Sequence, residues 1–372
     1  HTVRVTPAEG ETQVSRSVEA GVFEPVETEL AIDADDVVLA TGSRPLALPG
    51  NPFAGALIDS TQALELNTLP SSAVIIGAGA VALEFASLWN AAGCEVTLLI
   101  RKDRVLSTWE RRASMTLTRE LKRRGVNVIA RTAVDRVDTG ANLGATVHYR
   151  QGDSDEDRTA YGEVVLAAIG RVPNTDADWF HSSGLKLDER GYVTVDGYGR
   201  TNLDGVWALG DITPGHALAH RAFEQGITIA EKIAGADPKP VLDDTVPQVV
   251  FSFPEAASVG LTLDQAKARE DVVEPKETAY PMLSNARMLM SGEGGSMTVV
   301  SGAFANNPDM QVVLGVHIVS PIASDLIAEA EQLVGNRVPL ADAARLIHPH
   351  PTFSETLGEA LLKADGRPLH TR

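Results

Sequence analysis

Hydrophobic and polar positions change their spacing several times along the chain, most clearly after Ser71. The stretch SAVIIGAGAVALEFASLWNAAGCEVTLLI has the pattern of an apolar strand, a glycine turn, a helix and a second apolar strand. A charged helix in MTLTRELKRRG follows and ends at Gly125, and the strands VNVIA and VVLAAIG flank an alternating hairpin region. Strands and helices in this order predict βαβ units with a parallel sheet.

Further strands lie on both sides of this unit. HTVRV, VFEPVETEL and VVLATG precede a Pro-rich connector, SRPLALPGNPF, and a later strand in TNLDGVWALGD ends at Gly210 and Asp211. The segment ALAHRAFEQGITIAEKIAG has the spacing of a long amphipathic helix. After the linker ADPKP, strands in PQVVFSFPEAASVGLT, SMTVVSGAFA and VVLGVHIVS and a helix in ASDLIAEAEQLV predict an α+β domain.

Composition and charge exclude several function classes. The 372 residues suffice for more than one hydrophobic core, and no apolar run reaches the roughly 20 residues that span a bilayer. A net charge of -18 repels nucleic-acid backbones and anionic membrane surfaces, and the start has no signal-peptide features. We therefore expect a cytoplasmic protein with no nucleic-acid or membrane partner. The single cysteine, Cys94, is expected to be buried, and no residue cluster predicts a metal site.

The glycine turn carries the first candidate chemistry. IIGAGAVALE places Gly77, Gly79 and Ala82 directly after an apolar strand and at the start of a helix. In a dinucleotide-binding fingerprint the first position permits a tight turn, the second lets the backbone approach a pyrophosphate, and the third allows close helix–strand packing. The flanking strand, helix and second strand favour this interpretation over an ordinary glycine turn.

The end of the second strand bears on which nucleotide binds. The strand ends in LLIRKDR, so Arg101 and Lys102 lie where an NAD site normally has an acidic residue for the ribose hydroxyls. Two cations suit a ribose 2′-phosphate and favour NADPH over NADH. Asp103 as a ribose acceptor, or a solvated charged loop, are the alternatives.

Eight ordered motifs resemble those of the flavoprotein disulfide reductases over nearly the entire chain. They are ATGSRP, GAGAVALE, AIGRVPNT, the strand that ends in Gly210 and Asp211, LAHRAFEQG, VFSFPEAASVGLT, LGVHIVSPIASDLIAEA and HPHPTFSE. The C-terminal third is most similar to the dihydrolipoamide dehydrogenases, with the glutathione, mycothiol and mercuric reductases as near relatives.

The resemblance implies a fold, two cofactors and a set of cofactor contacts. The fold would be α/β, with Rossmann-like FAD- and NAD(P)-binding domains and a C-terminal α+β dimerisation domain. Asp211 would hold the flavin ribityl chain, Ala219 and His220 would line the isoalloxazine, and Glu84 would face the nicotinamide. The remaining implied cofactor contacts are Thr41, Gly42, Gly170 and Gly210.

Four domains follow from this comparison. They are a remnant of the FAD-binding domain (1–50), the NAD(P)-binding domain (51–172), the second part of the FAD-binding domain (173–243) and the dimerisation domain (244–372). The family also has a first βαβ unit with a flavin glycine loop and a redox-active cysteine pair, and this sequence has no counterpart of either. Because the chain also opens mid-strand at His1, we expect an N-terminally truncated chain that is inactive alone.

HPHPTFSE, His348 to Glu355, allows two interpretations. Thr352 and Glu355 fit a helix capping box ahead of ETLGEALLKA. The resemblance instead implies that His350 is the acid–base catalyst of thiol chemistry and that Glu355 orients its ring, both serving the cysteines of a partner subunit in a homodimer. Local sequence favours the cap, and the family context favours the dyad. For His348 a surface turn is a better interpretation than a metal ligand.

Three functions remain open from sequence. The first is an FAD-dependent oxidoreductase that passes electrons between a dithiol, dihydrolipoamide, and NAD(P) through a redox disulfide, with the lipoyl domain of a 2-oxoacid dehydrogenase complex as the implied partner. The second is an NADPH-dependent reductase of a low-molecular-weight disulfide, favoured by Arg101 and Lys102. The third is a flavin-free nucleotide-binding dimerisation subunit.

Overall fold

A computed structural model describes residues 1–5, 15–19, 22–25, 30–140 and 144–371. They divide into two compact units, each built from two chain segments: His1–Arg44 with Pro173–Leu242, and Pro45–Val172 with Asp243–Arg372. Part of the predicted strand VFEPVETEL, residues 26–29, lies outside the described residues. Within the described ranges, no helix combines the length and the apolar character that crossing a membrane requires.

The secondary structure follows in chain order. The strands are β1 (Thr2–Val5), β2 (Ser15–Glu19), β3 (Val22–Pro25), β4 (Leu30–Asp33), β5 (Val37–Leu39), β6 (Ser43–Pro45), β7 (Leu57–Ile58), β8 (Ser72–Ile76), β9 (Glu95–Ile100), β10 (Asn127–Ala130), β11 (Thr132–Thr139), β12 (Ala145–Gln151), β13 (Arg158–Gly162), β14 (Val164–Ala167), β15 (Arg171–Pro173), β16 (Val206–Ala208), β17 (Gln248–Val250), β18 (Glu255–Gly260), β19 (Val272–Tyr280), β20 (Ser296–Phe304) and β21 (Asn307–Ser320). The α-helices are α1 (Ser60–Leu64), α2 (Ala80–Ala91), α3 (Arg111–Arg123), α4 (Asp178–Ser182), α5 (Ala219–Ile233), α6 (Leu263–Ala268), α7 (Ala286–Ser291), α8 (Ala323–Gly335), α9 (Leu340–Ala343) and α10 (Glu355–Ala364).

The first unit contains the parallel pair β5 and β16, with Val37 opposite Val206. Strand β1 pairs antiparallel with β4, and β2 pairs antiparallel with β3. Phe180, Val193 and Ile212 are buried in the core of this unit. Because β5 and β16 are parallel, the loops that leave their carboxyl ends lie at the same edge.

The second unit contains a five-stranded parallel sheet in the order β10-β9-β8-β14-β7. Its strands read as continuous apolar runs because helices and further strands cover the sheet. Leu83 on α2 and Leu117 on α3 are fully buried in one core with Ile75 and Leu98. The predicted βαβ unit is confirmed, and the alternating hairpin region forms the antiparallel sheet β11-β12-β13.

The C-terminal segment forms a five-stranded antiparallel sheet in the order β17-β18-β21-β20-β19. The strand β19 at its edge was not predicted, because VVEPKETAY mixes charges and a proline with few apolar residues, a composition typical of edge strands. The apolar side chains of α8 and α10 join Val299 and Ile318 of this sheet in a second core. This arrangement confirms the predicted α+β character of the segment.

The predicted division between residues 51–172 and 244–372 falls inside the second unit. Val250, Ala256 and Val319 of the C-terminal sheet belong to the same core as Leu83 and Leu117 of the nucleotide-binding fold. Apolar surface from both segments is therefore buried in one cluster. The four-domain division stays a prediction.

Candidate functional site

The predicted nucleotide loop lies at the carboxyl end of β8 in the parallel sheet. Gly77 has a φ of +145°, and a Cβ there would lie 2.2 Å from the carbonyl oxygen of Ala168. No side chain fits at this position. At Gly79, by contrast, a Cβ would meet no atom within 4 Å. The described chain leaves the space beside Gly79 open, which is what the close approach of a ligand to the backbone would need.

Helix α2 begins directly after this loop. Gly79 is its N-cap residue, and no side chain caps the first turn. The first backbone N–H groups of a helix have no intrahelical acceptor and, with the helix dipole, attract anions. Ala82 is fully buried, which allows close packing of the helix. The open space at Gly79 and the uncapped helix N-terminus fit the pyrophosphate of a dinucleotide.

The two predicted cations are exposed at the end of β9. Within the described residues, neither Arg101 nor Lys102 has an ion-pair partner. Arg104 donates to Asp103 Oδ1 at 3.0 Å and to the Ser107 carbonyl at 3.1 Å. Asp103, the alternative ribose acceptor, is therefore already engaged by a neighbouring cation.

Gly170 and Glu84 were predicted from the resemblance to contact cofactor. Gly170 follows β14 with a φ of +149°, and its carbonyl accepts the Leu46 N–H at 3.0 Å. Glu84 Oε1 accepts the backbone N–H of Phe251 at 3.0 Å, and Ser87 Oγ accepts that of Phe253 at 3.1 Å. Helix α2 thus holds the segment between β17 and β18. The proposed contacts of Gly170 and Glu84 with a nucleotide stay predictions.

The predicted flavin residues lie in the first unit, at the carboxyl ends of β5 and β16. Gly42 and Gly210 turn the chain with φ values of +72° and +69°. The half-buried Asp211 accepts a hydrogen bond from Ser43 Oγ at 2.5 Å, which joins the two loops. A carboxylate fixed beside glycine turns fits the hydroxyl-rich chain of a flavin.

Several residues that support these loops were missed from sequence. Thr41 Oγ1 donates to the Asn174 carbonyl at 2.8 Å, and Asn174 Nδ2 donates to the Thr41 carbonyl at 2.9 Å. Gln225 Oε1 accepts the Gly210 N–H at 2.9 Å. The buried Arg221 donates to the Pro214 carbonyl at 2.5 Å. Asn174, Gln225 and Arg221 lie inside the motifs AIGRVPNT and LAHRAFEQG, so the motifs were the available signal.

Ala219 and His220 begin α5 in the same unit. Both are exposed, and the N-cap residue, Leu218, has no side chain that caps the helix. Their position at an uncapped helix N-terminus after Asp211 fits residues that line a large anionic cofactor. Their contact with the isoalloxazine stays a prediction.

The predicted dyad forms in the second unit. His350 Nδ1 lies 2.8 Å from Glu355 Oε1, and the imidazole is 74% exposed. Because a carboxylate can only accept, Nδ1 carries a hydrogen in this contact. The ring is therefore held through Nδ1, and its other nitrogen faces away from Glu355.

Glu355 takes part in both alternatives that the sequence left open. Its Oε1 serves His350, and its Oε2 accepts the Thr352 N–H at 2.8 Å. Burial alone would raise the pKa of Glu355, but the Thr352 N–H and His350 outweigh it and lower the pKa. The expected capping box is wrong in detail: α10 begins at Glu355, and the Thr352 hydroxyl donates to the Pro349 carbonyl at 2.6 Å.

The surface-turn interpretation of His348 is wrong. Its side chain is only 9% exposed, and its Nε2 lies 2.9 Å from Glu329 Oε1 on α8. The hydrogen bond that His348 donates to Glu329 raises the pKa of His348, although burial opposes the rise. A Cβ on Gly358 of α10 would lie 2.4 Å from His348 Nδ1, so the glycine makes room for the imidazole.

Among the residues that the structure describes, we searched for a metal site and for a reactive thiol in addition to the dyad. In the part of the chain that the structure describes, no three His, Cys, Asp or Glu side chains are grouped so as to hold a metal ion. Cys94 is buried, as predicted, and burial, with the nearby charges of Glu163 and Glu95, raises its pKa to about 11. Cys94 is therefore a protonated structural thiol at neutral pH.

Comparisons with known proteins agree with this arrangement. Residues 1–226 match the model of the pyridine nucleotide-disulphide oxidoreductases, and residues 246–361 match the dimerisation domain of the same group. A dihydrolipoyl dehydrogenase of Cupriavidus necator is 36% identical over 342 residues, which cover 91% of this chain and 70% of that protein. One of Geobacillus stearothermophilus is 37% identical over 341 residues, covering 90% and 69% of the two chains.

Solved structures show the same fold. The crystal structure of LpdA from Mycobacterium tuberculosis superposes with a TM-score of 0.82 at 28% identity and covers 98% of this chain and 73% of that chain. The flavoprotein disulfide reductase RclA from Escherichia coli superposes with a TM-score of 0.78 at 24% identity, covering 90% and 74% of the two chains. The second likeness concerns the fold alone.

Proposed function

The chain belongs to the pyridine nucleotide-disulphide oxidoreductase family, and we propose from that premise that it serves an FAD-dependent exchange of electrons between a dihydrolipoamide-type dithiol and a nicotinamide nucleotide. The observation that carries the proposal is the His350–Glu355 pair, with Nδ1 held at 2.8 Å and Nε2 exposed. A dithiol attacks a disulfide only as a thiolate, so the reaction needs a base with a pKa near neutrality.

The dyad would move one proton in each direction. His350 Nε2 would take the proton of the attacking thiol, and the imidazolium would be stabilised by Glu355 on the other ring nitrogen. The same proton would then return to the leaving thiolate. When bound, FAD would carry the electrons between the thiols and the nicotinamide. The fixed carboxylate keeps the ring in the tautomer that this cycle requires.

The proposal needs a cysteine pair from outside these 372 residues, because Cys94 is the single cysteine. The dyad lies inside residues 246–361, which match a dimerisation domain. A homodimer is therefore the expected assembly, and we place the dyad against the disulfide of the partner subunit. A lipoyl domain of a 2-oxoacid dehydrogenase complex is the protein substrate that this chemistry suits.

The decisive experiment separates the two hydrogen bonds of Glu355 in the full-length polypeptide. His350→Gln should lower dihydrolipoamide oxidation by about 100-fold or more without changing the flavin absorbance. Glu355→Gln keeps an oxygen for the Thr352 N–H but loses the carboxylate, so it should lower turnover and shift its pH profile at unchanged thermal stability. Glu355→Ala should lower both. If Glu355→Gln turns over like the wild type, Glu355 is only a structural residue and the proposal fails.

A second candidate is an NADPH-dependent reductase of a low-molecular-weight disulfide, which the unpaired cations at Arg101 and Lys102 favour. Steady-state assays with lipoamide and with small disulfides, each with both nucleotides, distinguish the two. Turnover of a small disulfide with NADPH, and none of lipoamide with either nucleotide, would replace the first candidate by the second.

A further inference from the structure

A third cation lies beside the two that the sequence singles out. Strand β10 pairs parallel with β9, with Ala130 opposite Ile100, so Arg131 follows β10 at the same edge where Arg101 follows β9. The Arg131 N–H donates to the Lys102 carbonyl at 3.0 Å. Arg131 is exposed and, within the described residues, has no ion-pair partner.

The backbone of Arg131 is held in an unusual conformation. Its φ is +58°, the left-handed region that residues other than glycine seldom adopt and that costs about 1 kcal/mol or more. Two hydrogen bonds hold it there, from its N–H to Lys102 and from the Gly152 N–H to its carbonyl at 2.8 Å. Since glycine would satisfy the same backbone without strain, the side chain is the feature that an arginine adds here.

The neighbouring loop is held in place as well. Leu106 also has a positive φ, of +45°, and its N–H donates to the carbonyl of Ala78 in the glycine loop at 2.9 Å. Ser114 Oγ donates to the Leu106 carbonyl at 2.7 Å. The loop after β9 is thereby hydrogen-bonded both to the nucleotide loop and to α3. The backbone that carries Arg101 and Lys102 is therefore held in place.

The order of the strands places these groups along one line. From the centre of the sheet outward come the glycine loop after β8, Arg101 and Lys102 after β9, and Arg131 after β10. A dinucleotide whose pyrophosphate lies on α2 extends its adenosine ribose toward the end of the second strand. In a chain of net charge -18, three neighbouring cations with no acidic partner among the residues that the structure describes point to an anionic ligand group.

We propose that Arg101, Lys102 and Arg131 together bind the 2′-phosphate of NADP(H) and that Arg131 is a specificity-determining residue for this nucleotide. The inference rests on the proposed nucleotide site and deepens it. Asp103 is paired through Oδ1 with Arg104 at 3.0 Å, which partly offsets its negative charge beside Arg101 and Lys102. An arginine supplies two parallel donors to a phosphate, which a lysine cannot.

Calorimetric titration with 2′,5′-ADP and with ADP tests the site, since neither probe needs flavin or a cysteine pair. The wild type should bind 2′,5′-ADP at least about tenfold more tightly than ADP, the effect of one charge-assisted contact. The difference should shrink as salt is added. Arg131→Gly should lower the affinity for 2′,5′-ADP about tenfold and leave that for ADP unchanged.

The glycine variant also controls for folding. Because glycine adopts a φ of +58° without strain, the thermal midpoint of Arg131→Gly should not fall below that of the wild type. Arg337→Gly is the matched control: Arg337 is also exposed, with a φ of +50°, but lies near Phe304 in the C-terminal sheet. It should leave both affinities unchanged.

Three results would overturn the inference, and they differ in meaning. Equal wild-type affinities for the two probes would mean that no 2′-phosphate site exists. A selective wild type with an unchanged Arg131→Gly variant would assign selectivity to Arg101 and Lys102 alone. No binding of either probe would remove the dinucleotide site, and the proposed function with it.

Discussion

At the scale of single residues, the structure gives different physical reasons for a glycine at each of the two loop positions, Gly77 and Gly79. Gly77 is required by the chain itself, because a Cβ would lie 2.2 Å from the Ala168 carbonyl oxygen. A Cβ at Gly79 would meet no atom within 4 Å, so the packing of the described chain does not require a glycine there. The sequence motif assigns both glycines to one fingerprint, and the structure shows that the packing of the chain requires glycine at Gly77 but not at Gly79.

This difference predicts opposite results for one substitution. Gly77→Ala should destabilise the protein by about 2–4 kcal/mol, since the backbone must move to admit the methyl group. Gly79→Ala should change the free energy of unfolding by less than about 1 kcal/mol but weaken ADP binding at least about tenfold. Denaturant unfolding and calorimetry measure the two quantities. A Gly79→Ala variant with full ADP affinity would mean that no pyrophosphate lies against the loop.

At the scale of elements, histidine–carboxylate pairs hold the segments that precede and follow α10. His348 reaches Glu329 on α8 at 2.9 Å, and His370 Nδ1 reaches Glu359 on α10 at 2.8 Å. The segment before α10, which carries His350, is therefore tied to α8, and the segment after α10 is tied back to α10 itself. The charges of Glu359 and Glu355 add to burial in raising the pKa of the nearby Tyr280 to about 12.

Helix α10 also provides a test of this anchoring. Gly358→Ala would put a methyl group 2.4 Å from His348 Nδ1, so it should destabilise the protein by about 1–3 kcal/mol and slow thiol turnover by displacing the segment that carries His350. Gly226→Ala in α5 is the control, because its nearest contact is Leu209 Cδ2 at 3.8 Å. That change should be neutral or stabilising by up to about 1 kcal/mol. Equal unfolding curves for the two variants would contradict the role given to Gly358.

At the scale of the whole molecule, two buried histidines make stability depend on pH in opposite directions. His317 lies in a fully buried row across β18, β21 and β20, with its Nδ1 2.7 Å from Ser258 Oγ and its Nε2 3.2 Å from the Leu261 carbonyl. Burial lowers the pKa of His317, although the Glu110 charge and the Leu261 carbonyl oppose it. The Leu261 carbonyl can only accept, so the neutral ring carries its hydrogen on Nε2.

The sign of each contribution follows from which state binds the proton. Below a pH of about 6.5 the unfolded chain protonates His317 and the folded chain does not, so stability falls as the pH is lowered. The raised pKa of His348 acts the other way: its contribution is complete below about pH 6.5 and is lost as the pH rises through the folded value.

The free energy of unfolding, measured across pH, should therefore have a broad maximum and fall on both the acid and the alkaline side. His317→Gln should reduce the fall in the free energy of unfolding just below pH 6.5. His348→Gln should reduce the fall just above pH 6.5. Each effect amounts to about 1.4 kcal/mol for every pH unit by which folding moves the pKa of that histidine. Each variant serves as the control for the other. A His317→Gln variant with an unchanged fall on the acid side would mean that His317 binds a proton equally in both states.

The sequence pattern by itself determined the order of most elements, the parallel sheet and the nucleotide loop, whereas His350 and Glu355 became a candidate pair only through the family resemblance. Apolar periodicity and turn chemistry are local properties, and each of these features lies within a few consecutive turns or strands. Only the tertiary structure decided what those residues contact. Ser43 meets Asp211 across 168 positions, Arg131 reaches Lys102 through strand pairing, and His348 reaches Glu329 on another helix. Such contacts depend on strand register and helix packing, which no local pattern specifies. Within HPHPTFSE the structure decided a local question, because Glu355 gives one oxygen to His350 and the other to the Thr352 N–H.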